Sequence, residues 1–170
     1  VHAGGYANPG SGQPDFRTPF GAALVNQANP SGYPAGSVNR HLFPSYSMLG
    51  GTAMGRGYWT NAANQILAQP SYVNVGATAK IDTLTRNISV YVEAYYTGSS
   101  PAATNKINVV LLQDKTYGYQ ANGGNNYEHN NRLIHMITGQ WGADITQTST
   151  GSLYSNTFTY PIPEHLNQIP

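Results

Sequence analysis

The residues best equipped for chemistry fall between Ile107 and Gly142, INVVLLQDKTYGYQANGGNNYEHNNRLIHMITGQWG. Glu128-His129 and His135 offer a carboxylate and two imidazoles. Residues 129 and 135 are an even number apart, so a continuous strand would put both on one face. Such a set has the chemistry of a metal site. No HExxH motif accompanies it, and Asn130-Asn131-Arg132 supplies no ligand spacing. The simpler assignment has His129 and Asn130 holding a loop by hydrogen bonds and His135 half-buried on a strand. No metal or other cofactor is expected. A Ser–His–Asp arrangement needs a nucleophile on a strained turn with a base in reach. No serine here sits in GxSxG, and Asp15, Arg17, Asp114 and Lys115 read as turn or helix-start charges. Thiol chemistry is excluded because the chain has no cysteine. Catalysis is therefore not expected.

A binding surface is the third chemistry. Tyr117, Tyr119 and Tyr127 cluster with Gln120, Asn122, Asn125, Asn126 and His129. Aromatic faces stack on sugar rings and amides bond hydroxyls. Tyr and Asn also suit a protein interface. The binding set is Tyr117, Tyr119, Gln120, Asn125, Tyr127 and His129. The structural alternative is an Ω-like loop whose aromatics cover the end of a sandwich.

These residues need elements to position them. Ile107 to Leu112 reads as a strand, and Leu133 to Ile137 as its partner, with a long polar loop between. Upstream, Thr18 and Pro19 signal a helix start, and Phe20, Ala23, Leu24 and Gln27 follow helical spacing to Asn29-Pro30. Ser37 to Arg40 reads as a short strand, and Tyr33-Pro34 as a candidate cis bond. Thr60 is expected to cap a second helix, Asn61 to Ala68, closed by Pro70. After Pro70 the apolar period changes from 3.6 to 2. Val73, Val75, Ala77, Ala79 and Ile81 alternate with polar residues, as do Ile88, Val90, Val92 and Ala94. Asp82 to Asn87 joins the two runs as a hairpin connection. Phe158, Tyr160 and Ile162 mark a last strand.

Composition bounds the partners. Of 170 residues, 9% are charged, against about 25% in an average domain, while 39% are apolar. Disorder needs low charge without such apolar content, so a folded domain is expected. Thirteen tyrosines with many Asn, Ser, Thr and Gly suit an extracellular or surface β-protein. The net charge is +1 with no basic run, which argues against nucleic acid. No stretch approaches 18 consecutive apolar residues, so no membrane span is expected. The chain starts at Val1-His2-Ala3-Gly4, which reads as a strand end entering a turn, and so as a processed product or an internal piece of a longer precursor.

Three segments carry a resemblance. VHAGGYANP, DFRTPFGAAL and SGYPAGSVNR together resemble the latter half of a thioredoxin-like domain. WTNAANQILAQPSYVNV resembles the join to a β-sandwich, and NVVLLQDKTYGYQANGGNNYEHNNRLIHMITGQWG the signature of that sandwich. The combination is similar to a Bacteroidota outer-membrane lipoprotein family in which a thioredoxin-like half precedes an immunoglobulin-like sandwich. The resemblance implies an α+β fold: a truncated thioredoxin-like α/β segment, residues 1–70, packed on an antiparallel immunoglobulin-like β-sandwich, residues 71–170. It implies a secreted or cell-surface location associated with the outer membrane. Asp82-Thr83-Leu84 resembles the short O-glycosylation motif of such envelope proteins, which makes Thr83 the candidate modification site; Asn87-Ile88-Ser89 matches the N-glycosylation pattern. The expected function is a non-catalytic structural subunit of an extracellular or outer-membrane assembly, with a protein partner or copies of itself. The alternative is a carbohydrate-binding module using the loop 117–131, with a glycan as partner.

Overall fold

The computed structural model describes residues 1–164. The end of the expected sandwich, residues 165–170, lies outside the described residues. The chain is mixed and mostly strand, with two short helices and antiparallel sheets. It divides into two compact units.

One unit is Pro19–Pro70. It holds helix α1 (Gly21–Ala28), a ribbon of β1 (Ala35–Gly36) and β2 (Met54–Gly55), and helix α2 (Trp59–Leu67). Tyr33-Pro34 is cis, as expected. Thr18 does not cap α1: the helix starts after Phe20, with no side-chain cap. Nor does Thr60 cap α2, which follows a 3-10 turn at Arg56–Tyr58 and already includes Trp59. Residues 37–40 are turn, not strand; the ribbon forms two residues earlier. Asn29 ends α1 in the left-handed conformation (φ 50°), which short polar side chains tolerate, and its Nδ2 donates to Leu49 O at 2.7 Å. Buried Phe43, Met54 and Ala62 form the core, with Val38, Tyr46, Trp59 and Ile66 around them. The Trp59 indole N–H donates to Met54 O at 3.2 Å. Gly36 is required beneath that ring, because a Cβ there would lie 2.9 Å from Trp59 Cζ2.

The other unit is Val1–Thr18 with the chain from Ser71 onward. Its largest sheet is three-stranded: β3 (Val73–Asp82), β4 (Asn87–Tyr96) and β11 (Leu153–Pro161), with β4 in the middle. The expected hairpin is present, with Asp82 opposite Asn87. Asp82 Oδ1 accepts the backbone N–H groups of Leu84 and Thr85 and shapes the turn. The alternation in β4 puts Ile88, Val90, Val92, Ala94 and Tyr96 on one buried face, packed with Ile107 and Ile145. Phe158 and Tyr160 do lie on a last strand, opposite Val90 and Ile88.

The expected strand Ile107–Leu112 is two strands. β5 (Asn105–Ile107) pairs with β10 (Ala143–Ile145), and β6 (Val110–Gln113) pairs with β9 (Arg132–Met136). The break at Asn108-Val109 is bridged to the far side by Val109 N–H donating to Thr138 Oγ1 at 3.0 Å and Ile137 N–H donating to Val109 O at 2.8 Å. Local alternation cannot reveal such a change of partner, because it marks which face is apolar and not which strand lies beside it.

Candidate functional site

The polar stretch between β6 and β9 is not an Ω-like loop. It is a hairpin of β7 (Thr116–Gln120) and β8 (Gly124–His129), with Thr116 opposite His129 and Gly118 opposite Tyr127. Asn122 (φ 64°) and Gly124 (φ 86°) supply the left-handed residues that its turn needs. At its base, Asp114 Oδ1 accepts the Asn131 N–H, and Asn130 Oδ1 accepts the Lys115 N–H at 2.9 Å.

Pairing sorts the candidate residues by face. Tyr117 and Tyr119 share one face of β7, each about half exposed. The Tyr117 hydroxyl donates to Glu128 Oε2 at 2.8 Å across the ladder. Asn130, first, and Tyr117 hold the Glu128 carboxyl below its ordinary range, and the same contact raises the Tyr117 phenol. Tyr127 and His129 project from the other face, the one occupied by Thr116 and Gly118 on the opposite strand. The three tyrosines therefore do not form one platform.

His129 is buried, and three rings surround it: Phe16 at 4.8 Å, Tyr127 at 5.0 Å and His2 at 5.1 Å between centroids. Arg132, 2% exposed, lies with its Cζ 5.0 Å from the centre of the Phe16 ring. Its Nη2 donates to Gln113 Oε1, while among the described residues Nε and Nη1 have no hydrogen-bond partner, nor does His129 Nε2. Burial, above all, lowers the pKa of His129. Burial, then the chain's amino terminus, His129 and Arg132, lower His2 to about 4. Both imidazoles are thus neutral at neutral pH, the form compatible with a cation buried beside them. Gly118 makes room for this cluster, since a Cβ there would sit 2.6 Å from Phe16 Cζ.

A cleft of about 580 Å³ opens beside the cluster, lined by His2, Gln120, Asn122, Tyr127, Glu128, His129 and Asn130 among others. It gathers Gln120, Tyr127 and His129 from the expected binding set. Tyr117, Tyr119 and Asn125 are not in its lining. His2, Phe16 and Arg132 were missed. The first two come from more than a hundred positions upstream, and no local pattern links them to His129. The only signal at Arg132 is a lone cation at the head of an apolar strand, after Asn130-Asn131. Glu128, His129 and His135 do not converge. Glu128 projects to the Tyr117 side of the hairpin, while His135, on β9, stacks on Tyr160 at 4.1 Å. Among the described residues no group of three His, Asp or Glu is placed to hold a metal. Thr83 lies on the exposed turn between β3 and β4, and Asn87 is exposed at the start of β4.

The fold defines a strand-rich antiparallel protein whose candidate site is an amide- and aromatic-lined cleft on a hairpin. Among the described residues no helix is long and apolar enough to cross a membrane. A family model described as outer membrane protein Omp28 matches residues 22–169, and the chain belongs to that family. Its place is accordingly the outer membrane or the cell surface. No curated protein and no solved structure matches the chain.

Proposed function

We propose that this chain is a non-catalytic structural subunit of an assembly at the outer membrane or cell surface. One observation carries the reading: β3 is an edge strand of the three-stranded sheet, and its apolar row is exposed from Val75 to Ile81. Val75 is 63% exposed and Ile81 58% exposed. Unpaired edges with apolar rows recruit partner strands. The finer placement as a lipoprotein of the Bacteroidota, with a thioredoxin-like segment before an immunoglobulin-like sandwich, is supported by the two-helix unit preceding the strands and by the antiparallel sheets packed over β4. Thr83 on its exposed turn is the candidate glycosylation site, checked by intact mass of the native protein and of Thr83→Ala. The assembly reading is tested by a photo-crosslinking residue at position 75 in intact cells, with Tyr95 as a control position. A product with an identified envelope protein, including a second copy, supports it. The absence of any product specific to position 75 overturns it.

A second reading is favoured by the cleft. Tyr127 offers a ring face and Gln120, Asn122 and Asn130 offer amides, the chemistry that holds a glycan. A glycan array discriminates: Tyr127→Ala abolishes binding, whereas Tyr119→Ala leaves it intact. No binding, or equal loss in both, removes this reading.

A further inference from the structure

The β3 edge has a pattern that specifies its own partner. Antiparallel pairing puts directly opposite residues on the same face. Strand β3 reads VNVGATAKID, with Val73, Val75, Ala77, Ala79 and Ile81 facing one way. Laid antiparallel on itself about Ala77, it places Ala77 opposite Ala77, Val75 opposite Ala79 and Val73 opposite Ile81. On the other face Asn74 falls opposite Lys80, and Gly76 opposite Thr78. Tyr72, just before the strand, falls opposite Asp82. Every apolar residue meets an apolar one, and neither Lys80 nor Asp82 faces a like charge. A shift by one residue would set the apolar row against the polar one. A shift by two residues puts Val73 opposite Thr83 in one direction and Ile81 opposite Ser71 in the other, so either way an apolar residue loses its apolar partner. The centred register therefore pairs all five apolar residues with one another and sets no like charges opposite each other on the other face.

We propose that two copies of this chain pair antiparallel through β3, centred on Ala77, to make one continuous six-stranded sheet ordered β11-β4-β3-β3-β4-β11. The partner is a second copy of the chain, and the two-fold axis passes through the Ala77 pair. This rests on the reading of the chain as an assembly subunit, and names its partner.

The absence of cysteine makes the test direct. In the centred register the two Ala77 Cα atoms lie about 4.5–5.5 Å apart, within disulfide reach. Two Lys80 Cα atoms lie about 20 Å apart. Purified Ala77→Cys should oxidise to a covalent dimer more than about tenfold faster than Leu84→Cys, whose side chain is 95% exposed on the neighbouring turn. Lys80→Cys should be no faster than Leu84→Cys. Val75→Lys with Ala79→Lys should weaken dimerisation in sedimentation by about tenfold, and Val75→Lys with Ala79→Glu should restore it. These positions are exposed, and circular dichroism of each variant checks the fold. Faster oxidation of Lys80→Cys than of Ala77→Cys overturns the register. A purified chain that stays monomeric overturns the two-copy pairing. In that event a position-75 photo-crosslink to a different envelope protein leaves the assembly reading standing, whereas no crosslink at all ends both.

Discussion

Strands β3 and β11 flank the same central strand and meet different surroundings. Both pair with β4 along nearly its whole length, and both present alternate residues to its apolar face. On the β11 side Tyr154, Phe158 and Tyr160 are half-buried against the core cluster. On the β3 side the equivalent positions Val75, Ala79 and Ile81 are exposed. The row through Ile88 shows it most plainly, with Tyr160 covered on one side and Ile81 uncovered on the other. Side-chain size contributes: β11 offers two tyrosines and a phenylalanine, with Tyr160 stacked on His135, whereas the same face of β3 carries two alanines. The chain after β11 is also tied down. The Arg86 guanidinium donates to Ile162 O and Pro163 O, at 3.2 and 2.6 Å. A strand whose outer face carries small residues is suited to receive a neighbour instead of being covered by its own chain.

That contrast can be broken by substitution along one row. Ile88→Ala, in the buried centre, should cost about 3 kcal/mol in urea unfolding, the loss of a core aliphatic side chain with its cavity. Tyr160→Ala, on the covered flank, should cost about 2 kcal/mol, because the residue is only partly buried and also loses its stack on His135. Acid should also weaken the covered flank. Burial lowers the pKa of His135, so the unfolded chain binds the proton more tightly than the fold does. Its contribution is complete above the ordinary imidazole value of about 6.5 and is lost as pH falls through the lower, folded value. Urea midpoints measured at about pH 7.5 and pH 5 should therefore drop with acid, and His135→Phe should reduce that drop while keeping a ring on Tyr160. Ile81→Ala, on the open flank, should change monomer stability by no more than about 0.5 kcal/mol. A cost near that of Tyr160→Ala would show that β3 is covered in solution.

Much of the strand plan was legible in the residues. The two alternating runs after Pro70, the turn at Asp82–Asn87 and the last strand at Phe158 and Tyr160 follow from period and turn chemistry, which act locally. The helix starts were misassigned at Thr18 and Thr60, because a capping side chain is only one of several ways to begin a helix. The candidate site was half legible. Gln120, Tyr127 and His129 line one cleft, but Tyr117 and Tyr119 were grouped with Tyr127 because the segment was read as a loop. Once it is a hairpin, the pleat assigns each residue to a face, and Tyr127 turns away from the other two.

The sequence by itself determined the class: low charge, a high share of tyrosine and asparagine, and the switch to alternating apolar residues specify an antiparallel β-rich surface protein. Those signals are carried by neighbours in the chain. Only the tertiary structure decided what covers what. Phe16 and His2 come to rest beside His129 and Arg132, Ile107 leaves its neighbours to pair with β10, and β3 keeps its apolar row from Val75 to Ile81 in solvent. Each of these is a contact between distant segments, or the lack of one, and a periodic pattern records that a face is apolar without recording which surface will meet it.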